Sequence, residues 1–207
     1  MDNGMVLEEK KRLAVWIARS LFERGKTSGT TANLSFLHEK KIYVSASGTC
    51  FGTLTEEEIV EAPIGEEHGS PSERKPSKEL PLHRMIYEAH PEVKAVIHTH
   101  GPNAVFWSCL HHENPRDVFG HDTPYLDMKL GNVAEVPYAP PGSQELFEAM
   151  RRGMGPERGY LLSHHGGIVG GLSLMNAFEA IEEMEQSAWL CRQLLQLRTI
   201  KHDQERN

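Results

Sequence analysis

The sequence has few cysteines and no long apolar run. Its three thiols, Cys50, Cys109 and Cys191, cannot all pair, and no CxxC spacing offers a zinc site. A disulfide scaffold is therefore excluded, and a reducing cytoplasm is the expected location. No stretch reaches the roughly 18 apolar residues of a membrane span, and the N-terminal MDNGMVLEEKKRL lacks the apolar centre of a signal peptide. We therefore expect no membrane partner.

Basic residues are also fewer than acidic residues. Twenty-two Lys and Arg against 29 Asp and Glu give a net charge of −7, whereas broad nucleic-acid binding needs a basic face that displaces counterions. A nucleic-acid partner is thus disfavoured. A small anionic substrate remains compatible with this charge, because backbone N–H groups and one lysine can form a local positive pocket.

The length of 207 residues suits a single domain and is short for a (β/α)₈ barrel, which needs about 250. Apolar periodicity predicts helices at 7–24, from 55, from 77 or 78 to 89, at 104–110, from Ser143 to 152 and from Ser173 to 197. It predicts strands at 34–38, 42–45, 94–98 and 160–163, and the Pro- and Gly-rich residues 62–76 as a surface excursion. This irregular alternation favours an α/β fold with a mixed sheet and helices on its faces.

The twelve histidines are the unusual feature of the composition. His98 and His100 lie two residues apart at the end of an apolar strand, so both side chains point the same way, as metal ligands or as two surface histidines. His165 follows another apolar strand. Glu79 begins a helix, with His83 one turn later. Glu79 could complete a three-His, one-Glu zinc site, act beside it as the acid/base, or be an ordinary first-turn helix acid.

Other residues with reactive or metal-binding side chains have structural interpretations. His164 is predicted to be a turn residue, and His111, His112 and His121 lie in a polar loop. Cys109 falls in an apolar helical run, which predicts a core residue rather than a nucleophile.

Two loops of small residues are candidate phosphate sites. Residues 27–33 and 45–49 offer N–H groups and hydroxyls that bind anions without a basic surface, although such stretches are usually turns. Ser77 and Lys78, directly before Glu79, would add a hydroxyl and a cation.

Five motifs in order resemble the class II aldolase/adducin-head family, whose type members are the fuculose-1-phosphate aldolases. They are Asn-Leu-Ser at 33–35, Ser-Ala-Ser-Gly-Thr at 45–49, Pro-Ser-Lys-Glu at 76–79, His-Thr-His at 98–100 and His-His-Gly at 164–166. The resemblance runs from about residue 7 to 197 of a single domain spanning 1–207. It implies a three-layer α/β/α sandwich around a mixed, largely antiparallel sheet, and a homo-oligomer, commonly a tetramer.

The resemblance also implies the site residues. Zinc, or another divalent cation, would be held by His98, His100 and His165. Glu79 would be the catalytic carboxylate and a further ligand when no substrate is bound. The residues implied for the substrate phosphate are Thr30, Asn33, Ser47, Gly48, Ser77 and Lys78.

Finer motifs are similar to the 3-oxo-tetronate 4-phosphate decarboxylases, which release CO₂ from a phosphorylated 3-oxo sugar acid and leave dihydroxyacetone phosphate. The motifs are Gly-Thr-Cys-Phe-Gly at 48–52, residues 123–125 and 128–131, Pro-Tyr-Ala-Pro-Pro-Gly at 137–142 and Glu-Glu-Met-Glu at 182–185. Two positions depart from the family pattern. Ala32 stands where the phosphate loop usually has glycine, and Met128 where fuculose-type aldolases have a tyrosine proton donor.

We therefore expect a zinc-dependent carbon–carbon lyase acting on a phosphorylated sugar or sugar acid. Zinc would stabilise the oxyanion of an enediolate, and Glu79 would handle its proton. Decarboxylation is preferred over fuculose-type aldol cleavage and over a dehydration of the methylthioribulose-1-phosphate kind. A non-catalytic adducin-like module is disfavoured because all three histidines and the glutamate are present. An amidohydrolase-type zinc enzyme is disfavoured because its His-x-His motif opens a barrel for which this chain is too short.

Overall fold

Seven strands within the described residues, 4–63 and 74–205, form one sheet. In this computed structural model side chains are described as far as residue 197. The strands are β1 (Ala32–His38), β2 (Lys41–Ser45), β3 (Ile59–Ala62), β4 (Ala95–Thr99), β5 (Val133–Val136), β6 (Gly159–Leu162) and β7 (Gly166–Gly171). They lie in the order β3-β2-β1-β4-β7-β6-β5, and these neighbours are antiparallel except for the parallel pair β5 and β6. The predicted mixed, largely antiparallel sheet is confirmed.

Helices cover both faces of this sheet. They are α1 (Leu7–Glu23), α2 (Leu80–Ala89), α3 (Pro102–Ser108), α4 (Tyr125–Lys129), α5 (Gln144–Gly153) and α6 (Leu174–Glu205). One apolar cluster joins the sheet to α1, α3, α4 and α6, and a second cluster joins the opposite face to α2 and α5. The predicted α/β/α sandwich is confirmed. None of the helices in the described ranges has the length and apolar character of a membrane span.

The central strand β4 is buried on both faces. Ala95 and Ile97 belong to the cluster under α1 and α6, whereas Val96 belongs to the cluster under α2. Successive side chains of a strand point to opposite faces, so His98 lies on the α2 side with Val96. The apolar alternation of β4 thus places a fully buried imidazole beneath the start of α2.

Several predicted boundaries are wrong. The helix expected from Thr55 is only a 3₁₀ turn, Glu56–Glu58, in which the Thr55 N–H donates to Glu58 Oε2 at 3.1 Å, and the chain then enters β3. α2 begins at Leu80, with Glu79 as the residue before its first turn. α3 covers 102–108 instead of 104–110, and α6 continues to Glu205. Of the predicted surface excursion at 62–76, residues 64–73 lie outside the described residues.

β7 was not predicted because four of its six residues are glycine. A Cβ on Gly170 would lie 2.8 Å from Ile86 of α2, and one on Gly171 would lie 2.3 Å from the Ala177 nitrogen of α6. The glycines therefore let helices pack directly on both faces of the strand, which is a tertiary requirement that strand propensity does not reflect.

Candidate metal centre and active site

Three histidines and one glutamate converge where β4 ends and β7 begins. His98 is on β4, His100 follows it, His165 immediately precedes β7, and Glu79 precedes α2. One potential ligand atom from each of these residues lies within 4.8 Å of all the others. The pairing of Thr99 with Gly167 across β4 and β7 brings the two histidine segments together.

Each of the three histidines offers one ring nitrogen as a possible ligand for a cation. Nδ1–H of His98 donates to the Gly167 carbonyl at 2.9 Å, so its Nε2 carries the lone pair, 3.0 Å from His100 Nε2. The Glu79 carboxylate lies 3.3 Å from His98 Nε2 and 3.4 Å from His165 Nε2. Within the described part of the chain, neither ring nitrogen of the buried His165 has a hydrogen-bond partner. Buried, unpartnered nitrogens beside a carboxylate fit a divalent cation.

The three imidazoles are neutral at ordinary pH. Burial, followed by repulsion from a neighbouring imidazole, lowers the pKa of His98 and of His165 to about 3. Burial also lowers the pKa of His100. Since metal ligation requires the neutral ring, the protein environment keeps these side chains in the metal-binding form.

A cavity of about 330 Å³ opens beside this cluster. His100, His165 and Glu79 line it, and so do all six residues implied for the phosphate, namely Thr30, Asn33, Ser47, Gly48, Ser77 and Lys78. Metal-type ligands and an anion-type pocket therefore share one cavity. This arrangement suits a substrate with a reactive group at one end and a phosphate at the other.

The small-residue loops contain more strand structure and backbone hydrogen bonding than the sequence indicated. Residues 27–33 are not all loop, because β1 already begins at Ala32 and the Ala32 methyl belongs to the core under α1 and α6. In the second loop the Ser47 N–H donates to the Lys75 carbonyl at 2.8 Å, so the Ser47 hydroxyl is the group left to meet an anion. Gly48 has φ +78, a conformation that favours glycine.

Asn33 contacts the glutamate of the cluster. It pairs with His98 across β1 and β4, which places the two side chains on the same face of the sheet. The Asn33 Nδ2–H group donates to Glu79 Oε2 at 3.0 Å. The sequence analysis identified Asn33 through the phosphate loop only, since this contact depends on strand pairing.

The other histidines whose side chains the structure describes lie outside the cluster. His164 has φ +56, consistent with the predicted turn, and its ring packs edge-on against Tyr138. His112 donates to the Trp107 carbonyl at 3.1 Å, and His121 lies between two aspartates. The prediction for Cys109 is wrong, because α3 ends at Ser108 and the thiol is exposed.

The sequence analysis gave no role to two sets of supporting residues, although it quoted residues 182–185 and His83. Glu185 of α6 accepts from the Asn103 N–H at 2.9 Å and the Ala104 N–H at 2.8 Å, and so caps α3 just after His100. Ser35 and Tyr87 join His83 in a buried polar group next to Asn33. The available signal was the four-residue spacing of polar side chains at 79, 83 and 87 on an otherwise apolar helix face.

Comparison with known proteins decides the family. Residues 12–191 match the family described as Class II Aldolase and Adducin N-terminal domain. The chain belongs to the class II aldolase family. Class II aldolases depend on a divalent metal, in agreement with the His and Glu cluster.

Individual relatives of the class II aldolase family agree with this assignment. The 3-oxo-tetronate 4-phosphate decarboxylase of Haemophilus influenzae is 34% identical over 87% of this chain and 86% of its own. The L-fuculose phosphate aldolase of Methanocaldococcus jannaschii is 30% identical over 87% and 94%. The crystal structure of YgbL from Klebsiella pneumoniae, described as an aldolase/epimerase/decarboxylase, matches with a TM-score of 0.86 and 33% identity over 92% of each chain. The predicted fold and the prediction of a lyase of this family are confirmed.

Proposed function

We propose that this chain is a zinc-dependent decarboxylase of a phosphorylated 3-oxo sugar acid of the 3-oxo-tetronate 4-phosphate type. The observation that carries the proposal is the shared cavity of about 330 Å³, lined by metal-type ligands, by the Glu79 carboxylate and by the phosphate-loop residues. The 34% identity to a protein named for this activity supports the substrate class.

His98, His100 and His165 would hold the cation, with Glu79 as a fourth ligand or just outside the ligand set. Three imidazoles suit zinc in a catalytic site that keeps a position open for substrate. A divalent cation bound there supplies Lewis acidity beside a substrate carbonyl.

The other end of the cavity would fix the phosphate. Lys78 contributes the positive charge, and the hydroxyls of Thr30, Ser47 and Ser77 contribute donors. Because Gly48 has no side chain, the backbone at this position can approach the phosphate closely. Holding the phosphate fixes the distance between the reacting carbons and Glu79.

Glu79 would move the proton. Decarboxylation breaks the bond between the carboxyl carbon and C2, CO₂ leaves, and the electron pair that remains on C2 takes up one proton to give dihydroxyacetone phosphate. Among the described residues that line the cavity, Glu79 is the one carboxylic acid. Because Asn33 already donates to Oε2, Oε1 is the oxygen we expect to take a proton from water and pass it to C2, after which the carboxylate is ionised again.

We expect a homotetramer in the cytoplasm. Large apolar side chains are exposed on the single chain, including Trp16 at 49% and Trp189 at 42%, and burying them would favour association. Sedimentation velocity should give four times the 23.3 kDa mass of the chain. A monomeric value at micromolar concentration would contradict this expectation.

The activity test uses zinc-loaded protein with a panel of 3-oxo-tetronate 4-phosphates and ketose 1-phosphates. Dihydroxyacetone phosphate together with CO₂ is the expected result. Dihydroxyacetone phosphate together with an aldehyde would identify an aldolase instead. Chelator-treated protein is the control for metal dependence.

The Glu79→Gln variant tests the proton-transfer role. It should bind metal but lose about 100-fold or more in turnover, as expected for removal of a general acid or base. Full turnover in this variant with zinc bound would refute the role of Glu79.

A further inference from the structure

We propose that Asn33 and His83 are positioning residues for Glu79, held in place by Ser35 and Tyr87 through a continuous chain of buried hydrogen bonds. The proposal deepens the proposed function and rests on it, because it concerns the carboxylate assigned there to proton transfer.

The spacing of β1 and α2 produces this chain. Glu79, His83 and Tyr87 are four residues apart, which corresponds to a rise of about 6 Å per step along a helix. Asn33 and Ser35 are two residues apart on β1, a rise of about 6.6 Å. Because the two rises nearly match, Asn33 lies between the first two helix side chains and Ser35 between the last two.

The four links are short and continuous. Asn33 Nδ2 is 3.0 Å from Glu79 Oε2, and His83 Nε2 is 2.5 Å from Asn33 Oδ1. Ser35 Oγ is 2.7 Å from His83 Nδ1 and 2.8 Å from the Tyr87 hydroxyl. His83 and Ser35 have no solvent exposure, and Asn33 and Tyr87 are also buried. Water is therefore kept from the bonds of His83 and Ser35, whereas the Asn33–Glu79 bond borders the cavity.

With Glu79 ionised, the hydrogens have one consistent assignment. The carboxylate only accepts, so Asn33 presents its NH₂ group to Glu79 and its Oδ1 to His83. Oδ1 needs a donor, which places the His83 proton on Nε2. Nδ1 then accepts from the Ser35 hydroxyl, and Ser35 accepts from Tyr87. Each donor in the chain points toward Glu79.

The burial of these groups keeps the assignment stable. Burial lowers the pKa of His83 to about 3, so the ring is neutral and carries one proton. Burial raises the pKa of Tyr87, so the phenol keeps its proton and remains a donor. Neither His83 nor Tyr87 therefore changes its protonation within the usual assay range.

The consequence is a fixed orientation for the Asn33 amide. Without the His83 N–H, the amide could turn and present Oδ1 to the carboxylate, where the two acceptors would repel each other. A fixed amide holds Glu79 by Oε2 and leaves Oε1 for the substrate. His83 should therefore affect the chemical step, whereas a residue serving the phosphate site would affect substrate affinity.

The kinetic test compares His83→Leu with His83→Gln in the zinc-loaded protein. His83→Leu removes the donor, and kcat should fall about tenfold or more while KM and zinc content change less than about twofold. The Gln side chain offers an amide N–H in place of Nε2–H, so His83→Gln should recover most of the lost kcat.

His90→Gln is the matched control. His90 is a buried histidine at the C-terminal end of the same helix, and its Nε2 has no hydrogen-bond partner among the described residues. This variant should keep the wild-type kcat. An unchanged kcat in His83→Leu, a higher KM with normal kcat, a loss of zinc, or an equally low kcat in His83→Gln would each overturn the proposal.

A second measurement does not depend on turnover or on folding of the Leu variant. Nitrogen NMR of ¹⁵N-histidine-labelled zinc-loaded protein should show His83 protonated at Nε2 and unprotonated at Nδ1, with the signal assigned by its loss in His83→Gln. Protonation at Nδ1 would overturn the proposal. If no substrate of the panel is turned over, the proposed function fails, while this spectrum still decides whether the chain of hydrogen bonds exists.

Discussion

Among single residues, the candidate ligand histidines differ from the others by lying within reach of one another and of Glu79, since His83 and His90 are buried as well. We predict that His98→Ala loses its metal, because the ring is fully buried and its Nε2 lies 3.0 Å from His100 Nε2 in the cluster. Elemental analysis after gel filtration should give less than about a tenth of the wild-type zinc content, with turnover lost in parallel.

His164→Asn is the control for this experiment. It lies next to His165 in sequence, but its φ of +56 belongs to a turn, and asparagine tolerates that conformation. The control should retain its zinc. Equal zinc content in wild type and His98→Ala would contradict the proposed metal site.

The same residues show how far a sequence alone can identify a site. His98 and His100 could be identified because a two-residue spacing on a strand places side chains on one face. The contact of Asn33 with Glu79 could not, because it depends on β1 pairing with β4 and on α2 lying over both strands. Local spacing therefore identified the candidate ligands His98 and His100, while the groups that support them depend on tertiary contacts.

At the level of elements, β7 lies where the sheet, two helices and the cluster of three histidines and Glu79 meet. We predict that Gly171→Ala destabilises the protein by about 1–3 kcal/mol or more, because its Cβ would lie 2.3 Å from the backbone nitrogen of Ala177. Urea unfolding measures the change. Gly153→Ala is the control, since its Cβ would meet nothing closer than 3.7 Å, and it should change the free energy of unfolding by less than about 1 kcal/mol.

The sequence predicts an element well when local contacts determine it, and poorly when tertiary contacts do. α5 was predicted closely because its start depends on a local contact, the Ser143 hydroxyl accepting from the Leu146 N–H at 3.2 Å. β7 was missed because its glycines are required by helices that pack on it from distant parts of the chain. A stable Gly171→Ala protein would mean that this packing does not explain the glycines.

For the whole molecule, buried neutral histidines make stability depend on pH. The pKa of His83 is about 3 in the folded protein, because of burial, against about 6.5 in an unfolded chain. Between these values the unfolded state binds a proton that the folded state does not. The contribution of neutral His83 to the free energy of unfolding is therefore fully present above about pH 6.5. It is lost as the pH falls toward 3, by about 1.4 kcal/mol per pH unit.

Comparing wild type with His83→Gln isolates this contribution from those of His98 and His165. At constant protein and zinc concentration, urea unfolding between pH 7 and 4.5 should show wild type losing stability more steeply than the variant below pH 6.5.

His121→Gln should change the pH dependence of stability in the opposite sense. The hydrogen bond to Asp127, and then the charges of Asp127 and Asp117, raise the pKa of this exposed ring. Its stabilising contribution is therefore present in acid and lost as the pH rises.

Parallel stability curves for wild type and His83→Gln would show that His83 gains a proton in the folded state as readily as in the unfolded chain, in conflict with a neutral imidazole that donates to Asn33.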